Sequence, residues 1–452
     1  MTKATPNRTI DLTQGEPLGL LIRFALPLLL GGIFQQLYNM VDTMILGKFE
    51  SAEALASVGA AASTFSFFLM ASNAVTNGAS ILTAQDWGAK RMEELKTTVS
   101  HAMMIALAVS VSFGILAVTC APLILGLLGT PENIVDGSVI YISITCGLLI
   151  APMFYNASAA VLRAIGDSRT PLLFLMLCSI LNILLDLTFV VVLGTGVMGV
   201  AIATVLSQSV SAVLCVLYMW KKYPQLRFGK EHLKVDWAKM KAFAGIIVPM
   251  FFQSISLSIG MMVITRVINS FGSDIVAAYT VGSKTEQLVA LAFSQFAFSF
   301  SVYSGQNFGA KKYGRIDLGM KRAAAMVVSL VGVSMAVMFF FSRELALLFV
   351  DRSEPVIIEN AVNMIRTECM FLPALGLIWL MNSCLRGMGF IKPTVISSFV
   401  ELLSKIGLSI LLSSLFGPIG IWYSAPIGWV LGLIPGTAYY FFSGWRKKAA
   451  KL

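Results

Sequence analysis

Gln85-Asp86-Trp87-Gly88-Ala89-Lys90 recurs as Gln306-Asn307-Phe308-Gly309-Ala310-Lys311, an offset of 221 in a chain of 452 residues. Three further matches keep the order. Leu162-Arg163-Ala164-Ile165-Gly166 returns as Leu385-Arg386-Gly387-Met388-Gly389, Gly196-x-x-Gly199 as Gly417-x-x-Gly420, and Pro27 as Pro249. Four ordered matches at offsets of 221 to 223 make the chain two copies of one unit. The first copy reads as residues 1–220, a polar, Lys-rich linker as 221–241, and the second copy as 242–452.

Composition says what each copy is made of. Hydrophobic residues make up 57% of the chain and charged residues 12%, with a mean hydropathy of +0.81, whereas a soluble domain carries about 25% charged residues. A soluble fold is excluded. Apolar runs long enough to cross a bilayer, which takes about 20 residues, fall near 18–47, 54–83, 99–128, 135–161, 171–193 and 197–220. Six more follow near 242–270, 277–305, 321–349, 356–384, 393–416 and 419–444. The expected fold is an all-α polytopic membrane protein with twelve transmembrane helices in two six-helix lobes. An even number of spans per copy preserves orientation, so the repeats are parallel.

Charge placement gives the orientation. Most of the 33 Lys and Arg residues fall on one alternate side of the spans, among them Lys3, Arg8 and Arg23 at the start, the linker and the C-terminus. The other side has Lys48, Arg343 and Arg352, diluted by Glu50, Glu53, Glu344, Asp351 and Glu354. Both termini are therefore expected in the cytoplasm, with the protein in the cell (inner) membrane. The net charge of +10 reads as topology and not as a nucleic-acid surface. The six cysteines are scattered and never form C-x-x-C, so neither a disulfide framework nor a metal site is indicated. The two histidines, His101 and His232, fall near connectors and read as solvated surface residues. No nucleophile, base or metal cluster marks an enzyme, and no cleavable signal segment is recognisable.

Carboxylates inside spans are costly and normally face a cavity or a partner. On the first span Gln35, Tyr38, Asn39 and Asp42 follow i, i+3, i+4, i+7, one polar stripe. On the fifth, Ser179, Asn182 and Asp186 share a face, and on the sixth Thr204, Gln208 and Ser211 do the same. With 1.5 Å of rise per residue, Asp42, Asp186 and Thr204 come about 9 to 12 Å below the outer ends of their helices, and Asn182 about one turn deeper. Two carboxylates flanked by amide and hydroxyl oxygens can share a proton or bind a small hard cation; H⁺ and Na⁺ are both compatible. The bland alternative, polar residues as interhelical glue, is weakened by the repeat itself. Asp42 maps to Ile264 and Asp186 to Ser409, so the unit can be built without those acids. The second copy offers Lys284, Glu286 and Gln253 as a candidate site, while Glu401 and Lys405, spaced i, i+4, read as a mutually neutralising structural pair.

These residues resemble the multidrug and toxic compound extrusion (MATE) family over essentially the whole chain. The resemblance is carried by Pro27 through Val41-Asp42-Thr43 to Gly47, by Gln85 to Gly88, and by Leu162 to Pro171. It continues through Asn182-Ile183-Leu184-Leu185-Asp186 and Gly196 to Thr204. It implies two six-helix lobes and export of lipophilic, mainly cationic drugs or toxic metabolites in exchange for H⁺ or Na⁺. It carries the family's N-lobe cation and proton site onto Asp42, Asn182, Asp186 and Thr204, with Tyr38, Tyr141 and Asn156 as neighbours. The NorM-like branch has a carboxylate on the seventh span where this chain has Gln253, so the pattern is closer to the DinF-like branch. No cofactor other than the coupling ion is implied, and one chain in the lipid bilayer suffices for a pathway. The competing reading is a lipid or lipid-linked oligosaccharide flippase of the same superfamily.

Overall fold

The computed structural model describes residues 9–449, without the side chains of Asn39, Ser63, Lys448 and Ala449. Lys3 and Arg8, which enter the charge argument, lie outside the described residues. Every regular element among those residues is helical. The first copy contains α1 (Pro17–Phe49), α2 (Ala52–Gly88), α3 (Met92–Leu127), α4 (Glu132–Gly147), α5 (Ile150–Ala164), α6 (Arg169–Asp186) and α7 (Gly196–Lys222). The second contains α8 (Trp237–Asn269), α9 (Ser273–Gly309), α10 (Tyr313–Phe340), α11 (Ser342–Leu347), α12 (Pro355–Cys369), α13 (Leu372–Gly387), α14 (Ile391–Phe416), α15 (Pro418–Phe442) and α16 (Trp445–Ala449). Ten helices are long and apolar enough to cross a membrane singly, and two bent pairs, α4–α5 and α12–α13, bring the crossings to twelve.

Those two pairs correct the sequence reading, which took 135–161 and 356–384 as continuous runs. The bends measure 43° and 51° and fall after Gly147 and Cys369, at matching places in the two copies. Prolines explain both. Pro152 and Pro373 have no N–H to return to the carbonyls of Leu148 and Cys369, so the ladder breaks there while each proline sits harmlessly in the first turn of the next helix. A third irregularity is a π-helical turn, Leu187–Val192, which continues α6 directly after Asp186.

The repeated motifs are helix stops. Lys90 and Lys311 both adopt left-handed backbone, φ 58° and 57°. The next residue donates back across the turn, Arg91 N–H to the Asp86 carbonyl at 3.1 Å and Lys312 N–H to that of Asn307 at 2.8 Å. Gly166 and Gly389 do the same, with Asp167 donating to Leu162 at 2.9 Å and Phe390 to Leu385 at 2.8 Å. These are six-to-one closures that satisfy the last carbonyls of a helix. Where the solvent is lipid, a helix end left open is far more costly than in water.

Packing divides the chain into two units, Met1–Asp11 with Leu26–Val248, and Leu12–Ala25 with Pro249–Leu452. In the first, Leu46, Phe68, Ile142, Cys146 and Ala201 from α1, α2, α4 and α7 form one core, and Leu95, Val161, Leu162, Cys215 and Met219 another. In the second, Ile264, Ile268, Met364 and Trp422 pack together, with Tyr279 stacked on Trp422 at 6.3 Å. Helices α1 and α8 thus change unit just before Pro27 and Pro249. Within each unit the hexapeptide holds the incoming helix start. Asp86 accepts from Lys239 Nζ at 2.8 Å and Thr98 Oγ1 at 2.6 Å, while Asn307 Nδ2 donates to the Leu12 carbonyl at 3.0 Å.

Both histidines overturn the surface reading. His101 is fully buried and His232 is 8% exposed, because they fasten the linker to α3. His101 Nε2 accepts from the Asp236 N–H at 2.9 Å, so its Nδ1 carries the proton and donates to the Thr97 carbonyl at 2.8 Å. His232 Nδ1 accepts from the Gly229 N–H at 3.1 Å, leaving Nε2 to donate to Glu93 at 3.1 Å.

Gly166 gives a sharp stability test. At φ 98° a Cβ would stand 2.2 Å from the Ile10 carbonyl oxygen, whereas at Gly129, φ 69°, nothing lies within 4 Å. Gly166→Ala is expected to destabilise by about 1–3 kcal/mol or more, and Gly129→Ala by about 1 kcal/mol. Thermal unfolding in detergent checks this, and equal shifts would refute the close approach.

Candidate functional site

A cavity of about 450 Å³ opens within the first unit. Its wall draws on each of the three polar stripes read from the sequence. Gln35, Tyr38 and Asp42 come from α1, Ser179 from α6, and Thr204, Gln208 and Ser211 from α7. Tyr141 from α4 and Asn156 from α5 also line it. The helix bend after Gly147 permits this, since α5 re-enters the wall at a new angle. Asn156 Nδ2 donates to Ser72 Oγ at 3.2 Å and is thereby fixed. The side chain of Asn39 lies outside the described residues. Two lining residues that the sequence reading missed are Ser66 and Tyr155, the latter anchored by its hydroxyl to the Pro171 carbonyl at 2.9 Å. Tyr155 adjoins Asn156, so its neighbour was the available signal.

Behind the wall the acids meet. Asp42 is partly exposed on the cavity side, whereas Asn182 and Asp186 are fully buried. The Asp42 and Asp186 carboxyl groups act directly on one another. The Tyr38 hydroxyl stands by Asp42 and Thr204, and that of Tyr141 faces both acids. Asn182 lies one turn before Asp186 on α6, and the π-helical turn that begins at Leu187 alters the helix register at this level. Such turns recur at functional sites.

The hydrogen-bond account does not close. Asp42 Oδ1, both Asp186 oxygens, both amide atoms of Asn182 and Thr204 Oγ1 are buried without a hydrogen-bond partner among the described residues. Buried polar groups in folded proteins are almost always paired, and exceptions call for a bound water or ion. Two adjacent carboxylates with no Lys or Arg beside them also cannot both stay charged at low cost in such surroundings. The donor set is carboxylate, amide and hydroxyl oxygen, which fits a proton or a small hard cation and not a soft metal. No group of three or more His, Cys, Asp or Glu suited to a metal ion occurs among the described residues.

The second unit arranges its charges differently. Gln253 is buried and donates to Ser398 Oγ. Glu286 turns toward Lys405 on α14, and Glu368 and Glu401 act on the same ammonium. None of the three brings an oxygen within 4.0 Å of Lys405 Nζ among the described residues, so the simple Glu401–Lys405 pair expected from i, i+4 spacing is not formed. Lys405 is instead shared. Glu368, 3% exposed with Oε2 unpartnered, escaped the sequence reading although it is an acid inside an apolar run, the same signal that singled out Glu401. Lys284 stands apart, exposed on α9.

Removing a buried, unpartnered carboxylate is neutral or stabilising for the fold while abolishing a cation's binding energy. Wild-type protein in detergent is therefore expected to unfold at a higher temperature as Na⁺ is added or pH lowered. A ligand at 100 times its dissociation constant adds about 2.7 kcal/mol. Asp186→Asn is expected to lose that response without becoming less stable. An identical response from both proteins would count against a cation at this pair.

Comparison with known proteins shows the family and the fold of the chain. The MatE family model matches residues 27–188 and 249–432. The chain is 27% identical to "Probable multidrug resistance protein YoeA" of Bacillus subtilis over 437 residues, 94% of this chain and 93% of that protein. It is 28% identical to "DNA damage-inducible protein F" of Escherichia coli over 322 residues, 71% of this chain and 70% of that one. A solved structure described as MATE in the bent conformation shares the fold at a TM-score of 0.92 and 22% identity, covering 99% of this chain and 100% of that one.

Proposed function

The chain belongs to the multidrug and toxic compound extrusion (MATE) family of membrane transporters, and from that premise we propose that it is a secondary antiporter exporting lipophilic, mainly cationic compounds in exchange for H⁺ or Na⁺. The observation that carries this is the set of unpartnered oxygens on Asp42, Asp186, Asn182 and Thr204, set against the wall of a cavity large enough for a drug-sized molecule. Small-molecule sites commonly span about 300 to 1,000 Å³.

Asp42 belongs to both sites at once. With no cation behind it, the Asp42–Asp186 pair leaves negative charge at the cavity wall and favours a positively charged cargo. A proton or Na⁺ arriving from outside neutralises the pair and removes that attraction. Ion and cargo therefore oppose one another through a shared carboxylate. Such opposition is a positive, unfavourable coupling free energy, with each tenfold loss of affinity worth about 1.4 kcal/mol. Alternating access follows when the two occupancies favour different conformers, since a ligand shifts an equilibrium only by its differential affinity for the two states. Tyr38 and Tyr141 hold the acids within a polar wall, and Asn182 and Thr204 supply further oxygen ligands. The reading places the protein in the cell membrane with both termini cytoplasmic, functioning as a single chain.

The experiment is ethidium efflux from proteoliposomes, with a pH gradient or a sodium gradient imposed separately. Wild type is expected to be driven by one of the two, which names the ion, and Asp42→Asn to lose the drive at least tenfold. Efflux indifferent to both gradients and to the substitution would sink the antiport reading and favour a flippase.

A further inference from the structure

The two copies differ in length beside the acid pair. The repeat offset is 223 at Leu162 and 221 at Gly196, so the first copy carries two residues more between these marks. Contacts locate them. A Cβ at Gly199 would overlap Phe189 Cβ, and one at the equivalent Gly420 would overlap the Leu412 carbonyl. Phe189 and Leu412 are 223 apart. The longer offset therefore still holds there, and the extra residues lie between Phe189 and Gly196.

The backbone bonds show how they are absorbed. In the second copy α14 stays α-helical to Phe416, and the Gly417 N–H reaches the Ser413 carbonyl, four residues back, at 3.0 Å. In the first copy the Leu193 N–H reaches five back to Thr188 and the Thr195 N–H six back to Phe189, both at 3.0 Å. The Thr195 hydroxyl donates to the same Phe189 carbonyl at 2.7 Å. The widened turn is the π-helical one, Leu187–Val192, and it begins on the residue after Asp186. The second copy has neither the widened turn nor the acid, since Asp186 corresponds to Ser409. Thr195 corresponds there to Phe416, which has no hydroxyl.

A widened turn can sit anywhere along a helix, because each placement stretches one loop and leaves the others α-helical. Its place decides which side chain faces where. Residues on its inner side keep the register of the start of α6, which Asp167 pins through the hydroxyls of Thr170 at 2.7 Å and Tyr223 at 2.8 Å. Moved inward past the acid, the turn would put Leu187 where Asp186 stands and swing Asp186 about 100° away from Asp42. We propose that Thr195 is a positioning residue for Asp186: bonded to Phe189, it keeps the widened turn beyond the acid, so that α6 presents Asp186 and not Leu187 to Asp42. The inference rests on the cation reading of that pair and adds the element that aims it.

The test uses the full chain in detergent, titrated with Na⁺ and, separately, with H⁺. It reads the unfolding temperature and the backbone hydrogen exchange, the latter corrected for its intrinsic pH dependence. Losing one hydrogen bond that holds a register lowers the competent population about fivefold, and apparent affinity falls with that population. Thr195→Val keeps the side-chain shape without the hydroxyl, and is expected to need about fivefold more cation for the same rise in unfolding temperature. Thr195→Ser, which keeps the hydroxyl, is expected to match wild type. Exchange separates aiming from fraying: without cation, Thr195→Val is expected to exchange faster over residues 182–186 as well as 187–195, and saturating cation to reverse this. Wild type supplies an arm that needs no variant, since cation is expected to slow exchange over 187–192 together with 182–186. The proposal is overturned by an unchanged midpoint in Thr195→Val, by faster exchange confined to 187–195, or by a wild type in which cation slows 182–186 alone. A folded wild type that responds to neither cation defeats the cation reading itself, and this inference with it.

Discussion

A carboxylate carried into a membrane needs a positive partner, and the two copies of this chain meet that demand in different ways. In the second unit the positive charge belongs to the chain itself: the Lys405 ammonium lies in the field of Glu286, Glu368 and Glu401. In the first unit Asp42 and Asp186 act on one another with no Lys or Arg beside them, and six polar atoms of this group are unpartnered among the described residues. A tethered ammonium cannot be exchanged with solvent. A proton or small cation held by these oxygens can, and dependence on a mobile cation is thereby expected of one unit and not the other.

The repeat shows how small the difference in sequence is. At the offset of 223 that relates Leu162 to Leu385, Asn182 corresponds to Lys405 and Asp186 to Ser409. Helices α6 and α14 are thus the same element, carrying an amide and an acid in one copy and a cation and a hydroxyl in the other. The exchange removes an acid and installs its counter-ion on one face, so both copies bury charged groups without burying an isolated one. Asp42 against Ile264 follows the same logic, since the second copy has no use for an acid where Lys405 already serves three.

Much of this was legible because membrane burial leaves few alternatives. Apolar length gave the crossings, and the polar stripes on α1, α6 and α7 came together at one cavity and the acids behind its wall because a helix fixes which residues share a face. The hexapeptide was visible as a repeat, although its role as a helix stop was not, since left-handed backbone at Lys90 and Lys311 is a conformation that lysine seldom adopts. The bends after Gly147 and Cys369 were hidden by hydropathy, which is blind to a missing N–H inside an apolar run. The histidines were misread for a related reason: position near a connector says nothing of whether the connector is pinned. Lys405 was paired with Glu401 on spacing alone, whereas contributions from α9 and α12 are tertiary and no local pattern announces them.

The prolines carry the last step. Helix α1 starts among residues that pack with the second unit, changes unit between Ala25 and Leu26, and bears Asp42 fifteen residues beyond Pro27. Helix α8 starts with the first unit and changes at Pro249. A proline inside a helix removes the bond to the carbonyl four residues back, those of Arg23 and Gly245, and so lowers the cost of bending at that point alone. Each change of unit therefore coincides with the weakest link of its helix. Everything on either side is tied down, α1 by Asn307 and Lys312 at its start and α8 by Asp86. Bending of α1 or α8 is thus cheapest at those two peptide units and costlier anywhere else along two long helices. On α1 that point lies about 22 Å from the carboxylate whose charge the cation controls.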